Sequence, residues 1–196
     1  MAPKTLLTLT TAGALFAACS TTTLTAQRYV VSPDNNEALK ATVRSNIRVG
    51  PFVGPLEFDN RCRGMARIAP PKDETFPQYV QQALATELQA TDGFGKNPSV
   101  VLSGVLEQLS FISTSPTGRW DISLRITSSN GETALVATHY EFESALSGIT
   151  ACKQTAEAYL PAVQSLIGTL LKSPEFKELI SPSSADLPVR RRAPPA

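Results

Sequence analysis

Histidine is almost absent from this chain, since His139 is the only one among its 196 residues. A Ser-His-Asp or Cys-His catalytic arrangement therefore has one candidate base. The alternating pattern around His139 puts it on a polar strand face, which is typical of a solvated histidine. The motifs G-x-S-x-G, H-E-x-x-H and C-x-x-C and the Walker phosphate loop are also missing. We predict that the protein is not an enzyme and uses no cofactor.

Excess charge of either sign is missing as well. The chain has 18 Lys and Arg residues against 17 Asp and Glu residues. This balance creates no overall positive field to attract nucleic acid, so we predict no nucleic-acid partner. The hydrophobic content of 42% is ordinary for a globular protein and predicts one folded domain over residues 27–180.

The chain also begins without a stretch long enough to stay in a membrane. The apolar run from Leu6 to Ala18 is too short and too rich in threonine to span a bilayer, which takes about 20 apolar residues. It follows one positive charge, Lys4, and ends in two alanines before Cys19. This layout is that of a secretory signal. We predict that residues 1–18 are a signal peptide and that the protein is exported.

The end of this segment, Leu15-Phe16-Ala17-Ala18-Cys19, resembles the lipobox of bacterial lipoproteins. The resemblance implies cleavage before Cys19 and acylation of its thiol and its new amino group, so that a lipid anchor reaches the membrane. In that family, Ser20 after the cysteine implies sorting to the periplasmic face of the outer membrane in a Gram-negative cell. Residues 19–26 would then be the lipidated N terminus and a polar tether.

Two cysteines remain if Cys19 is lipidated: Cys62 and Cys152. In an oxidising periplasm two leftover thiols most simply form a disulfide, and the alternative is two separate buried thiols. The same two cysteines with one distant histidine are a poor ligand set, so we expect no metal site.

Hydrophobic periodicity predicts the secondary structure. Alternation of apolar and polar residues indicates strands at 27–31, 47–53, 99–113, 119–127 and 132–144. The run Ser32-Pro33-Asp34-Asn35-Asn36 is interpreted as a stop, and residues 54–74 as a loop with a short strand at 65–68. Thr75 and Gln78 form a capping-box pattern that begins helix 76–91. A last helix begins at Thr150, and Pro161 should kink or split it.

The main elements follow the order strand, helix, three strands, helix. We predict an α+β fold in which an antiparallel sheet of about four strands carries two main helices on one face, because this packing buries the apolar stripes. The segment 181–196 is rich in Pro, Ser and Arg and is predicted to be a disordered tail.

Two basic groups are candidates for binding. Arg61, Arg63 and Arg67 form the densest basic cluster of the predicted domain; they suit an acidic partner or a phosphate, or they make the loop soluble. The triplet 190–192 suits an anionic lipid or wall polymer, or is a solvated tail.

Glu141 and Glu143 are a candidate carboxylate pair for catalysis. They lie two residues apart on one predicted strand, about 7 Å by strand rise. This spacing is compatible with the carboxylates of a glycosidase, although alternation on an exposed face produces it routinely.

Three functions follow as hypotheses. The first is a non-catalytic accessory subunit that binds a cell-envelope transport or assembly complex, and the order of elements resembles that of small auxiliary lipoproteins of such systems. The second is a carrier for a lipid or another apolar ligand held between sheet and helices. The third is a cell-wall hydrolase that uses Glu141 or Glu143.

Overall fold

The computed structural model describes residues 22–43, 46–55, 58–91 and 97–182. The predicted signal peptide, Cys19 and most of the tail lie outside these ranges. Within them the strands are β1 (Thr22–Thr25), β2 (Ile47–Val53), β3 (Arg61–Cys62), β4 (Ala66–Ala69), β5 (Val100–Ile112), β6 (Thr117–Ser128) and β7 (Thr133–Glu143). The helices are α1 (Pro33–Thr42), α2 (Phe76–Gln89), α3 (Gly148–Lys172) and α4 (Glu175–Leu179).

The larger sheet has four strands in the order β2-β5-β6-β7. Strands β5, β6 and β7 form an antiparallel meander, whereas β2 pairs with β5 in parallel. The predicted α+β class is therefore present, but the prediction of a purely antiparallel sheet is wrong. The cause is α2, which lies between β2 and β5 in the sequence. A helical crossover of this kind brings the chain back so that β5 runs in the same direction as β2.

A second sheet of three strands, in the order β1-β4-β3, corrects the prediction of a single sheet. Strand β1 pairs in parallel with β4, and Thr22 lies opposite Ala66. These threonines were expected in a polar tether, but β-branched residues favour extended backbone, and the edge of β4 satisfies their backbone groups. Among the described residues 27–31, where a strand was predicted, the backbone follows β1 without pairing in a sheet.

Helix α1 occupies the segment that was interpreted as a stop. Ser32 caps its N terminus by accepting a hydrogen bond from the Asn35 amide, and Pro33 fills the first turn. Serine followed by proline can mark a turn or the start of a helix. In this protein it marks the start of α1. The helix buries only Asn35 and Leu39, which explains why its apolar stripe was too weak to detect.

Helices α2 and α3 form the main layer over the larger sheet. The predicted capping box is present, because Thr75 accepts from the Gln78 amide and the Gln78 side chain accepts from the Thr75 amide. Helix α3 continues through Pro161 as one helix of 25 residues, so the predicted split is wrong. The carbonyl that Pro161 leaves unbonded is that of Glu157, an exposed residue, so water can satisfy it.

The core lies between the larger sheet and these two helices. Trp120 on β6 and Tyr159 on α3 are fully buried, with ring centroids 4.8 Å apart. The Trp120 indole donates to the Thr155 carbonyl at 2.9 Å, which satisfies the only polar atom of the ring. Strand β2 approaches β5 closely where the Phe52 ring lies over Gly104. The approach depends on glycine, because a Cβ at position 104 would lie 2.9 Å from the Phe52 ring. Aromatic and aliphatic side chains thus fill this layer.

Candidate functional site

The cysteine pair lies beneath the loop that carries the three arginines. Cys62 on β3 and Cys152 near the start of α3 are both fully buried, and their sulfur atoms lie 2.05 Å apart, at disulfide distance. The predicted pairing is therefore present, and the alternative of two separate thiols is not. The bond joins the smaller sheet to α3 across 90 residues of sequence. The bond therefore holds the loop around Cys62 against α3.

Arg63 holds this loop to the rest of the domain. Its guanidinium donates to the carbonyl oxygen of Ser113 at the end of β5 and to that of Leu146 before α3, the latter at 3.0 Å. Its Nε also donates to the Ser113 hydroxyl at 3.3 Å. The geometry shows that Arg63 forms internal bonds between three segments, and its contact with a partner stays a prediction.

Arg61 and Arg67 lie on the same strand pair but differ in their surroundings. Arg61 forms an exposed ion pair with Asp59 at 2.9 Å. The hydrogen bonds from the Arg61 side chain and backbone lower the pKa of Asp59 to about 2. Arg67 donates to the Asn60 amide oxygen at 3.3 Å and also lines a surface groove. The structure therefore separates the three arginines, and Arg67 is the one of the three that lines this groove.

This groove, which we call the Phe58 groove, is the candidate functional site. It has a volume of about 410 Å³. Its walls are mainly apolar, with a polar rim: Pro55, Phe58, Ala69, Pro70, Phe76, Pro77 and Leu109 with Asn60, Arg67, Glu74 and Thr75. Phe58 and Phe76 meet edge to face, with centroids 4.9 Å apart. An apolar floor beneath a few charged groups is the usual composition of a binding site.

The floor of the Phe58 groove is held by the core. Phe76 packs edge to face on Tyr159 at 5.1 Å, and Phe58 also contacts Phe111 at 6.1 Å. Burial in this cluster raises the pKa of Tyr159 well above its ordinary value. The sequence contained these aromatic residues but gave no sign that Phe58 and Phe76 would meet, because they come from separate segments.

His139 lies on the opposite face of the larger sheet, in contact with Asp121. Its Nδ1 is 2.5 Å from the Asp121 carboxylate, and Arg119 donates to the same carboxylate at 2.9 Å. Burial raises the pKa of Asp121, but hydrogen bonds from His139 and Arg119 outweigh this and lower it. The prediction of a solvated ring holds in that the side chain is 71% exposed, but the carboxylate contact was not foreseen.

The arrangement around Asp121 differs from a catalytic triad in its order. Ser110 on β5 lies opposite Asp121, which lies opposite His139, so the carboxylate stands between the hydroxyl and the ring. A triad needs the histidine in the middle position. Glu141 and Glu143 lie opposite Arg119 and Thr117 on this open face, and neither lines the Phe58 groove.

Glu87 is a buried carboxylate that the sequence analysis missed. It is fully buried on α2, where one oxygen accepts from the Tyr29 hydroxyl at 2.6 Å and from the Ser32 amide at 2.9 Å. The other oxygen has no partner within the part of the chain that the structure describes. Its position beside Leu88 on the apolar face of α2 was the available signal. The contacts join the N terminus of α1 to α2.

Among the described residues, no group of three or more His, Cys, Asp and Glu residues has a metal-binding arrangement. None of the helices that the structure describes is both long enough and apolar enough to cross a bilayer. Neither a protein-family model nor a curated protein matches the chain.

Proposed function

We propose that the protein is an exported, lipid-anchored accessory subunit of a cell-envelope transport or assembly complex, and that it binds its partner through the Phe58 groove. Cys19 would carry the anchor and leave the domain facing the periplasm. The buried pair Cys62–Cys152 supports export, because structural disulfides persist in oxidising compartments.

The observation that carries the binding role is the composition of the Phe58 groove. Its volume suits one or two side chains of an extended protein segment, and the aromatic floor offers a pocket for an apolar anchor. Arg67 and Glu74 on the rim offer one charge of each sign, which fixes the orientation of a polar segment. A protein segment with an apolar residue beside charged groups fits this site.

The two other hypotheses receive less support. A lipid carrier was expected to hold its ligand between sheet and helices, where Trp120 and Tyr159 fill the space. A hydrolase would need a cleft around Glu141 and Glu143, which lie on an open sheet face. The groove therefore supports partner binding more strongly than any observation supports the carrier or the hydrolase hypothesis.

The test is capture of partners from native membranes with a tagged, full-length protein. Arg67→Glu reverses the charge on the groove rim, and Arg61→Glu is the matched control, six residues away and outside the groove. We expect a defined envelope protein to co-purify with the parent and with Arg61→Glu, and its recovery to fall at least tenfold with Arg67→Glu. Equal recovery with both variants, or no stable partner at all, would remove the groove from the account. Lipid analysis of the same samples tests the carrier hypothesis.

A further inference from the structure

Three large apolar side chains lie exposed around one point of the surface, and we call them the Met65 patch. They belong to Met65 in the turn between β3 and β4, to Leu146 just before α3, and to Ile149 in its first turn; they are 55%, 87% and 45% exposed. Met65 packs over Gly148 so closely that a Cβ would not fit there. Leu146 is the most exposed large apolar side chain in the part of the chain that the structure describes. Grouped exposed apolar side chains mark a surface that contacts a protein or a membrane.

The backbone beneath the Met65 patch is firmly held. The Met65 amide donates to the Cys62 carbonyl at 2.9 Å, and the two residues between them, Arg63 and Gly64, both have positive φ. A positive φ is unfavourable for arginine, and surrounding contacts must offset it. The Arg63 guanidinium supplies such a contact by donating to the Leu146 carbonyl at 3.0 Å, and the disulfide joins β3 to α3 beside it. The two segments therefore present their apolar side chains in fixed positions.

The described chain begins beside this patch. In the parallel pairing of β1 with β4, Thr22 lies opposite Ala66, the residue that follows Met65. Neighbouring strands are about 4.8 Å apart, so Thr22 is close to the turn between β3 and β4. Strand β1 then runs away from this turn, and Thr25 lies opposite Ala69. The start of β1 and the Met65 patch thus share one end of the smaller sheet.

The predicted lipid anchor is near this end in the sequence. Three residue steps separate Cys19 from Thr22. A chain spans at most about 3.6 Å per residue, so this segment reaches roughly 11 Å. The headgroup layer on each side of a bilayer is itself about 5–7 Å thick. With acyl chains on Cys19, Thr22 and its neighbours stay at the membrane surface, which leaves little room for a protein between them and the lipid.

A basic residue accompanies the patch. Lys153 is exposed and lies four positions after Ile149, so the two side chains share one face of α3. A lysine in this position lays its methylene groups along an apolar surface and keeps its ammonium among polar headgroups. The acidic Glu143, the last residue of β7, belongs to the open face of the larger sheet. Apolar groups beside a lysine are the composition with which proteins lie on a membrane surface.

We propose that the Met65 patch inserts into the headgroup layer of the membrane that holds Cys19 and so fixes the orientation of the domain. This rests on the lipid anchor that we propose for Cys19. The short tether keeps the patch at a high effective concentration near the lipid, so weak insertion of three side chains is enough. The acyl chains retain the protein, and the patch determines which surface faces away from the membrane.

Depth measurements on the acylated protein test the proposal. The protein is purified from its native host, its acylation is established by intact mass, and it is placed in vesicles of phosphatidylethanolamine and phosphatidylglycerol. Ser147→Cys provides a thiol for an environment-sensitive fluorophore within the patch. Glu132→Cys provides one at the other end of β7, whose eleven residues span about 36 Å. We expect brominated lipid to quench the fluorophore at Ser147→Cys at least threefold more than at Glu132→Cys.

Charge substitutions in the patch provide the second arm. Leu146→Glu with Ile149→Glu should reduce quenching at the patch to the level at the far end of β7, while the protein stays in the membrane fraction. The control pair Val105→Glu with Leu135→Glu replaces two exposed apolar side chains on the open sheet face and should leave quenching unchanged. Urea unfolding should be similar for both pairs, because each replaced side chain is exposed.

Three results would overturn the proposal. Equal quenching at the two labelled positions of an acylated protein would remove the patch from the membrane and leave the anchor in place. An unacylated protein would remove the anchor and this proposal together. Shielding of the patch fluorophore without quenching by brominated lipid would identify a protein as the occupant, and a second copy of this chain if the shielding increases with protein density in the vesicles.

Discussion

Removing the Cys62–Cys152 bond is the perturbation with the most calculable effect. Replacing both cysteines with alanine deletes the cross-link and leaves no unpaired thiol in the core. Both side chains are fully buried, but the lost volume is small, so most of the expected effect comes from the unfolded chain. The bond closes a loop with a sequence separation of 90 residues. In the chain-entropy model this loop corresponds to about 4.6 kcal/mol of stability at 25 °C.

That loss is a large part of the total stability of an ordinary domain, which is roughly 5–15 kcal/mol. For a chain of this size, each kcal/mol lowers the melting temperature by about 2–4 °C, so we expect a fall of roughly 9–18 °C. The assay is urea unfolding followed by circular dichroism, with the oxidised parent, the reduced parent and the double alanine variant compared. Reductant should destabilise the parent and leave the variant unchanged.

A double variant within about 1 kcal/mol of the oxidised parent would refute this reasoning. It would mean that the smaller sheet and α3 stay together through their packing and through Arg63, so that the bond restricts little of the unfolded chain. The reduced parent distinguishes the two causes, since it keeps the cysteine side chains and loses only the cross-link.

The remaining predictions concern single side chains and use unfolding measurements. Glu87→Ala leaves the Tyr29 hydroxyl without its acceptor and should cost about 2–4 kcal/mol. Gly168→Ala places a Cβ 2.8 Å from the Asn35 amide oxygen and should cost about 1–3 kcal/mol. The lowered pKa of Asp121 means that its ionised form stabilises the fold above the ordinary aspartate pKa of about 3.9, and that this contribution is lost as the pH falls through the folded value. Asp121→Asn should therefore flatten the fall in stability as the pH drops below about 3.9.

Each of these predictions has an opposing result. A neutral Glu87→Ala would show that water enters and satisfies the hydroxyl. A neutral Gly168→Ala would show that Asn35 shifts without losing its bonds. An acid profile that Asp121→Asn leaves unchanged would assign the pH dependence to other carboxylates, such as Asp59.

Local signals in the sequence predicted the helices and strands with strong periodicity. The capping box at Thr75 occurs where expected, because it depends on neighbouring residues. The three long strands were predicted correctly, because alternation of apolar and polar residues over many positions indicates a strand with one buried face. The α+β class follows from these elements.

Local sequence patterns could not predict how distant segments pair. Whether β2 lies parallel or antiparallel to its neighbour depends on the path of α2, and no residue of β2 encodes it. Strand β1 exists because the edge of β4 accepts it, and the polarity of its threonines pointed to a tether instead. Helix α1 is held by Glu87, which contributes nothing to an apolar stripe.

The candidate site also contains one part that the sequence predicted and one part that it did not. The cysteines were predicted to pair because export and their number left few alternatives. The three arginines look alike in sequence, and their roles separate only when Ser113 and Leu146 come within reach of Arg63. The Phe58 groove could not be predicted, since its walls come from the segments on both sides of Glu74 and from β5.

The central claim is that Cys19 anchors an exported domain, and intact mass with membrane fractionation tests it most directly. The protein is isolated from its native host beside a Cys19→Ala variant. The account predicts a mass that corresponds to cleavage before Cys19 plus acyl chains, and loss of both the added mass and the membrane association in the variant. A soluble, unacylated product cut at another residue would contradict it.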